Sequence, residues 1–318
     1  PSGDKYGRKI SAMSGFIDKL GLNEIISKVS IYTKSDNLED IYMELDERSK
    51  NEPDCSAVKN QLEKVIRSYM SEFELPDEPI YDFLVMSLTS KDLIATFNWD
   101  PFLVQALGRA QRYTNNIPQV AFLHGNVAVG YCSDDNIIGN AGSICRCGKE
   151  LKPMKLLFPI KKKDYSSDEA IAKSWEKLCN ALERAYMVTI FGYSAPKSDA
   201  EAVAMLKQAW GAVDDRNLEE IELVDIRDEQ TVIDSWNQFI HTHHYSYHTS
   251  FFDTTLARCP RRSCEATFDR LMNCIWLDGN KGFKEGMSFS DIDEKTYTLI
   301  AEEEQNKGKK EALSNPYH

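Results

Sequence analysis

Leu93-Ile94-Ala95-Thr96-Phe97-Asn98-Trp99-Asp100 is the stretch on which the fold turns. Its first four residues form an apolar run that stops at a polar cluster, and helical spacing begins directly after it, over 100–112. The same arrangement recurs downstream. Val120-Ala121-Phe122-Leu123 ends at His124-Gly125, Met187-Val188-Thr189-Ile190-Phe191 at Gly192, and Ile221-Glu222-Leu223-Val224 at Asp225. Helical patterns over 168–185, 198–210 and 229–240 separate or follow these runs, and Lys155 to Ile160 offers a further strand. Short buried strands alternating with helices define an α/β protein with a doubly wound, Rossmann-like parallel sheet. Such sheets bind ligands at the carboxyl ends of their strands, where the unusual residues of this chain collect.

Outward from that core, residues 16–80 read as a helical insertion. Phe16, Leu20, Ile25, Ile26 and Val29 recur at helical spacing, as do Val58, Leu62, Val65, Ile66 and Tyr69, with Asp54-Cys55-Ser56 as a cap. An acidic, proline-containing connection from Ser71 to Pro79 leads into a core over 81–240. From 241 to 318 runs a C-terminal extension with His241, His243, His244 and His248, its last ten or so residues expected to be mobile.

The 318 residues carry 38 Lys+Arg against 50 Asp+Glu, a net charge of −12, which argues against nucleic acid as a partner because duplex affinity comes from neutralising phosphates. No apolar run approaches the roughly 20 residues that span a bilayer, so no membrane role is expected. Eight cysteines are too sparse for a disulfide scaffold, and a reducing cytoplasm is the expected location.

Each strand end has a chemistry and a plainer reading. Asn98 and Asp100, two apart, can both face a cleft, while Asp100 also suits a helix N-cap with Pro101 in the first turn. His124 is placed to take a proton near neutral pH, and Gly125 beside it lets backbone and ligand approach. Gly192-Tyr193-Ser194 ahead of a helix is a natural phosphate cradle, and Asp225 can accept bonds from ribose hydroxyls.

Taken in order, Thr96-Phe97-Asn98-Trp99-Asp100, His124-Gly125, Cys132 with Cys145-Arg146-Cys147-Gly148, Gly192-Tyr193-Ser194 and Val224-Asp225 resemble the sirtuin-like family of NAD-consuming domains over about residues 85–230. The pattern looks closer to the bacterial anti-phage NAD hydrolases of that family than to its protein deacylases. The resemblance implies NAD as substrate, with Asn98, His124 and Asp100 as catalytic residues around the nicotinamide ribose. It implies cofactor contacts from Thr96, Phe97, Gly125, Gly192, Tyr193, Ser194 and Asp225, the last two on the phosphate and adenosine-ribose side. It also implies a role in antiviral defence, with a homo-oligomer or a defence-system protein as partner. The family's glycine-rich pyrophosphate loop has no counterpart, and residues 1–15, opening Pro1-Ser2-Gly3, read as the segment just beyond such a loop.

Cys132, Cys145 and Cys147 are candidate metal ligands, but three thiols fall one short of a closed zinc site, so zinc is not the favoured reading; Cys179, on a helix, is the candidate to reach the site as a fourth. A second set, Cys259 and Cys264 with His243, His244 or His248, has irregular spacing. Two rival functions stand beside NAD hydrolysis. One is NAD-dependent lysine deacylation; the other is a nucleotide-binding or scaffold module without turnover.

Overall fold

The computed structural model describes residues 21–76, 80–160, 163–166, 168–195, 199–212, 216, 219–237, 239–240, 245–276, 278, 281–310 and 312–318. The expected loop remnant over 1–15, Phe16 and Leu20, and His241, His243 and His244 lie outside the described residues. In chain order the helices α1 (Leu22–Val29), α2 (Leu38–Ser49), α3 (Pro53–Ser71) and α4 (Ile80–Met86) precede β1 (Leu93–Thr96). Then come α5 (Phe102–Ala110), β2 (Gln119–Phe122), β3 (Val129–Cys132), β4 (Ile137–Asn140), β5 (Lys152–Pro153) and α6 (Glu169–Leu182). Next are β6 (Met187–Phe191), α7 (Ala200–Trp210), β7 (Glu220–Val224), α8 (Glu229–Trp236) and β8 (Tyr245–His248). Helices α9 (Thr255–Arg258), α10 (Ser263–Asn273) and α11 (Phe289–Gln305) complete the order.

The chain divides into two compact units. The smaller takes Pro1–Glu74, Asn98–Pro101 and His124–Ser167, the larger Leu75–Phe97, Phe102–Leu123 and Asp168–His318. In the smaller unit α3 starts with Pro53 at its first position, where a missing N–H costs nothing. The cap there is Glu52 and not Asp54-Cys55-Ser56, because Pro53 already has helical geometry. Cys55, Val58, Leu62 and Val65 form one buried stripe on α3, packed with Ile25, Leu45, Leu156 and Phe158. Beside it β4-β3-β5 form a small antiparallel sheet, which sequence periodicity did not reveal.

The larger unit is the α/β part. β1 and β2 pair in parallel, Thr96 opposite Phe122, and β6-β7-β8 form a second parallel sheet with Phe191, Val224 and His248 at its carboxyl edge. Asp168 caps α6 by accepting from the amides of Ala170 and Ile171, and Asp228 caps α8 through Thr231 N–H. Lys155 to Ile160 is not a strand. Leu156, Leu157 and Phe158 are all buried, but without a pairing partner, and a continuous apolar run cannot distinguish those cases. The tail expected to be mobile is packed: Tyr317 is 4% exposed, lies with Cys259, Ala266 and Leu299, and donates its hydroxyl to the Pro260 carbonyl at 3.1 Å.

Candidate active site and cysteine centre

In the larger unit two strand ends meet. Phe97, just past β1, stacks its ring on Tyr193, just past β6, with centroids 4.0 Å apart and planes at 10°. Trp175 of α6 meets Phe97 edge-on at 6.1 Å, and Trp236 of α8 does the same to Tyr193 at 5.7 Å. Trp236 Nε1–H also donates to the Tyr193 carbonyl at 3.3 Å, and the Tyr193 hydroxyl donates to Asp199 at 2.7 Å. Tyr193 is therefore fixed as one wall of a strand-end platform.

Gly192 and Asp225 lie abreast at the carboxyl edge of β6 and β7, because Gly192 N–H donates to the Val224 carbonyl at 2.9 Å and Asp225 N–H to the His248 carbonyl at 3.1 Å. Gly192 has φ +66°, and Ala195 closes the same turn at φ +48°; Ser194 between them is exposed. The Asp225 carboxylate is gripped by Arg227. The guanidinium Nε sits 3.1 Å from both oxygens, Nη2 2.6 Å from Oδ2, and the Arg227 amide donates to Oδ1 at 2.9 Å. These bonds hold the Asp225 carboxyl below the usual carboxylate range despite its partial burial. Motif reading did not single out Arg227 as the partner of Asp225; only its place two residues after a strand-end acid hinted at it.

In the smaller unit the segments carrying Asn98–Asp100 and His124–Gly125 are laced together. Asn126 Nδ2–H donates to the Asp100 carbonyl at 2.6 Å, and Val127 N–H donates to the Trp99 carbonyl at 2.9 Å. Asn98 is exposed. His124 is 6% exposed, its ring lying parallel to Tyr165 with centroids 6.0 Å apart. The His124 carbonyl accepts from Leu157 N–H at 2.9 Å. Gly125 has φ +80°, and a Cβ there would stand 1.9 Å from the Lys155 carbonyl oxygen. The room this glycine leaves is filled by the chain's own backbone.

The cysteines converge on a fourth group that sequence reading did not supply. Cys132 at the end of β3, Cys145 and Cys147 bring their sulfurs together with a carboxylate oxygen of Asp135, all within 4.8 Å of one another. Cys132 and Cys147 sulfurs are 3.5 Å apart, and Cys145 Sγ–H donates to Asp135 at 3.1 Å. The Cys147 amide favours the Cys145 thiolate, yet the bond to Asp135 and burial push that thiol up to about 12. Three sulfurs and one carboxylate oxygen at this spacing match a tetrahedral zinc donor set. Cys179 sits on α6 and is not part of the group. Cys259 is packed in an apolar cluster.

No protein-family model matches the chain, and no curated protein does. Among solved structures it is similar to a sirtuin from work on sirtuin substrate affinity, at 15% identity and TM-score 0.30, over 54% of this chain and 63% of that one. It is similar to Sir2 with a p53 peptide and NAD+, at 15% identity and TM-score 0.33, over 68% and 87% of the two chains. A third is Sir2 with the inhibitor EX-527, 2'-O-acetyl-ADP-ribose and deacetylated p53 peptide, at 16% identity and TM-score 0.34, over 67% and 88%. The chain thus spans less than two thirds of the first of these. Among the described residues no helix is long and apolar enough to cross a membrane.

Proposed function

We propose that the protein hydrolyses NAD to nicotinamide and ADP-ribose. The observation that carries this reading is the stacking of Phe97 on Tyr193, which joins two of the motif-bearing strand ends of a parallel α/β unit. Cleaving the nicotinamide bond builds positive charge on the ribose, as in other glycosyl transfers. In this reading Asn98 holds the attacking water, His124 takes its proton, and Asp100 stands by the nicotinamide. Thr96, Phe97 and Gly125 are the further cofactor contacts that the resemblance implies. The Gly192–Ser194 turn receives the phosphates, and Asp225, pre-set by Arg227, faces the adenosine ribose. By the resemblance the biological use is bacterial defence in the cytoplasm, with turnover gated by self-assembly or a defence partner.

Nicotinamide release is expected to fall at least about 100-fold in Asn98→Ala and in His124→Ala, the scale of a lost general base or water-holding group. Variants as active as the parent would remove the assignment. The cysteine centre favours a second reading. With Asp135 added, the module no longer lacks a fourth ligand, and we propose that Cys132, Asp135, Cys145 and Cys147 hold a structural zinc. That weakens the sequence argument against lysine deacylation. Incubation with an acetylated peptide and NAD separates the two, since a deacylase yields O-acetyl-ADP-ribose and a hydrolase does not.

A further inference from the structure

The smaller unit holds a cavity of about 390 Å³ between α2, α3 and residues 155–158, 160, 163 and 164. That is within the rough 300–1,000 Å³ range of small-molecule sites. Its lining inverts the charge of the chain. Lys59, Lys64, Arg67, Lys155 and Lys163 outnumber Asp46, Glu63 and Asp164, in a protein with 38 basic and 50 acidic residues. All three of those carboxylates are already engaged, Asp46 by Lys59 at 2.9 Å, Glu63 by the Tyr42 hydroxyl, and Asp164 by the Ser166 amide and hydroxyl at 2.9 and 2.7 Å.

Arg67 is the telling residue. Its Nη2–H donates to the Met154 carbonyl at 2.5 Å, whereas Nη1 is buried with no hydrogen-bond partner among the described residues. Burial also lowers the pKa of the guanidinium. A buried donor on a charged group without an acceptor is costly, and an anion in the cavity would supply the acceptor. Lys163 is 5% exposed and brings a second desolvated cation to the same wall. Leu156, Leu157, Phe158 and Ile160 make the remaining wall apolar. A cluster of cations calls for a multiply charged group, the apolar wall for an organic body, and the volume excludes a polymer strand.

We propose that this cavity binds a small organic phosphate of nucleoside diphosphate size, its phosphates on Arg67 and the surrounding lysines and its body against Leu156–Ile160. Asn98, Asp100 and His124 are not among the residues lining it, although Lys155 and Leu157, which are, meet Gly125 and His124 through their backbone.

The test is calorimetric titration of the protein with ADP, pyrophosphate and adenosine. ADP and pyrophosphate are expected to bind, more weakly as salt rises, and adenosine not to bind. Lys64 and Lys155 are exposed, so the double variant Lys64→Glu/Lys155→Glu keeps the fold, and it is expected to weaken ADP at least tenfold. Arg67→Gln should do the same, with circular dichroism to check that it folds. Asp225→Ala, which removes the contact proposed for the adenosine ribose of NAD, is expected to leave this binding in place. The proposal is overturned if no heat appears with ADP at millimolar concentration, or if adenosine binds as well as ADP. ADP binding that survives the double lysine variant but disappears in Asp225→Ala would also overturn it, by placing the ligand at the site proposed for NAD.

Discussion

Gly125 and Gly192 both adopt a left-handed backbone, yet they answer to different constraints. A Cβ on Gly125 would collide with the Lys155 carbonyl at 1.9 Å, while one on Gly192 would meet nothing within 4 Å. Gly125→Ala is therefore expected to cost about 3 kcal/mol or more, from strain plus overpacking. Gly192→Ala should cost only roughly 1–2 kcal/mol, the penalty of the conformation alone. Urea denaturation of the two variants checks the contrast; equal losses would refute it. At this scale the sequence showed which residue types stood at strand ends but not what they touched. His124-Gly125 reads as a place for a ligand, and only coordinates reveal the carbonyl pressed against the glycine. Asp135 and Arg227 were invisible for the same reason: a loop acid and a loop arginine carry no periodic signal until folding supplies their partners.

Among the elements, the helix pair α4–α5 carries an electrostatic burden. The Asp82 side chain is fully buried on α4 among Phe83, Val85 and Met86, with Arg109 of α5 at 3.3 Å. Burial raises its carboxyl to about 6 against the opposing pull of Arg109. A carboxyl whose folded value lies above its unfolded one favours the fold most when protonated, so this contribution is complete below about pH 4 and lost as pH rises through 6. Asp82→Asn is expected to flatten that part of the stability–pH curve and to stabilise the fold at pH 7 by up to about 3 kcal/mol. A denaturation series from pH 4 to 8 reads it, and an unchanged slope would count against the effect. For the β3–β5 module, expressed protein is expected to hold close to one zinc by elemental analysis, with Asp135→Ala losing it to a mild chelator faster than the parent. Metal-free protein with an undisturbed module would exclude zinc. The parallel strands β1, β2, β6 and β7 were legible because each is an apolar run closed by polar residues. β8 was not, since Tyr245-Ser246-Tyr247-His248 has no apolar continuity and is held by backbone pairing to β7.

Across the whole chain, composition gave the class and the sign of the charge but not where charge is buried. Arg261 and Arg262, at most 1% exposed, sit inside the larger unit. Arg262 Nη1 donates to Glu303 at 2.7 Å and Nη2 to Glu302 at 2.9 Å, while Arg261 also pairs with Glu303. Arg261 Nη2 reaches the Asn116 carbonyl at 2.9 Å, and Arg262 Nε the Ser314 carbonyl at 2.8 Å. No hydropathy pattern marks such residues as interior, because a buried ion pair is tolerated only once every partner is in place. The consequence reaches into biosynthesis. The helical cluster of the smaller unit, from Ile25 to Phe158, uses nothing beyond Ile160, so it can consolidate while the ribosome is still translating. The larger unit must wait: its guanidinium lattice and the seat of Tyr317 against Pro260 cannot close until residue 317 has left the exit tunnel.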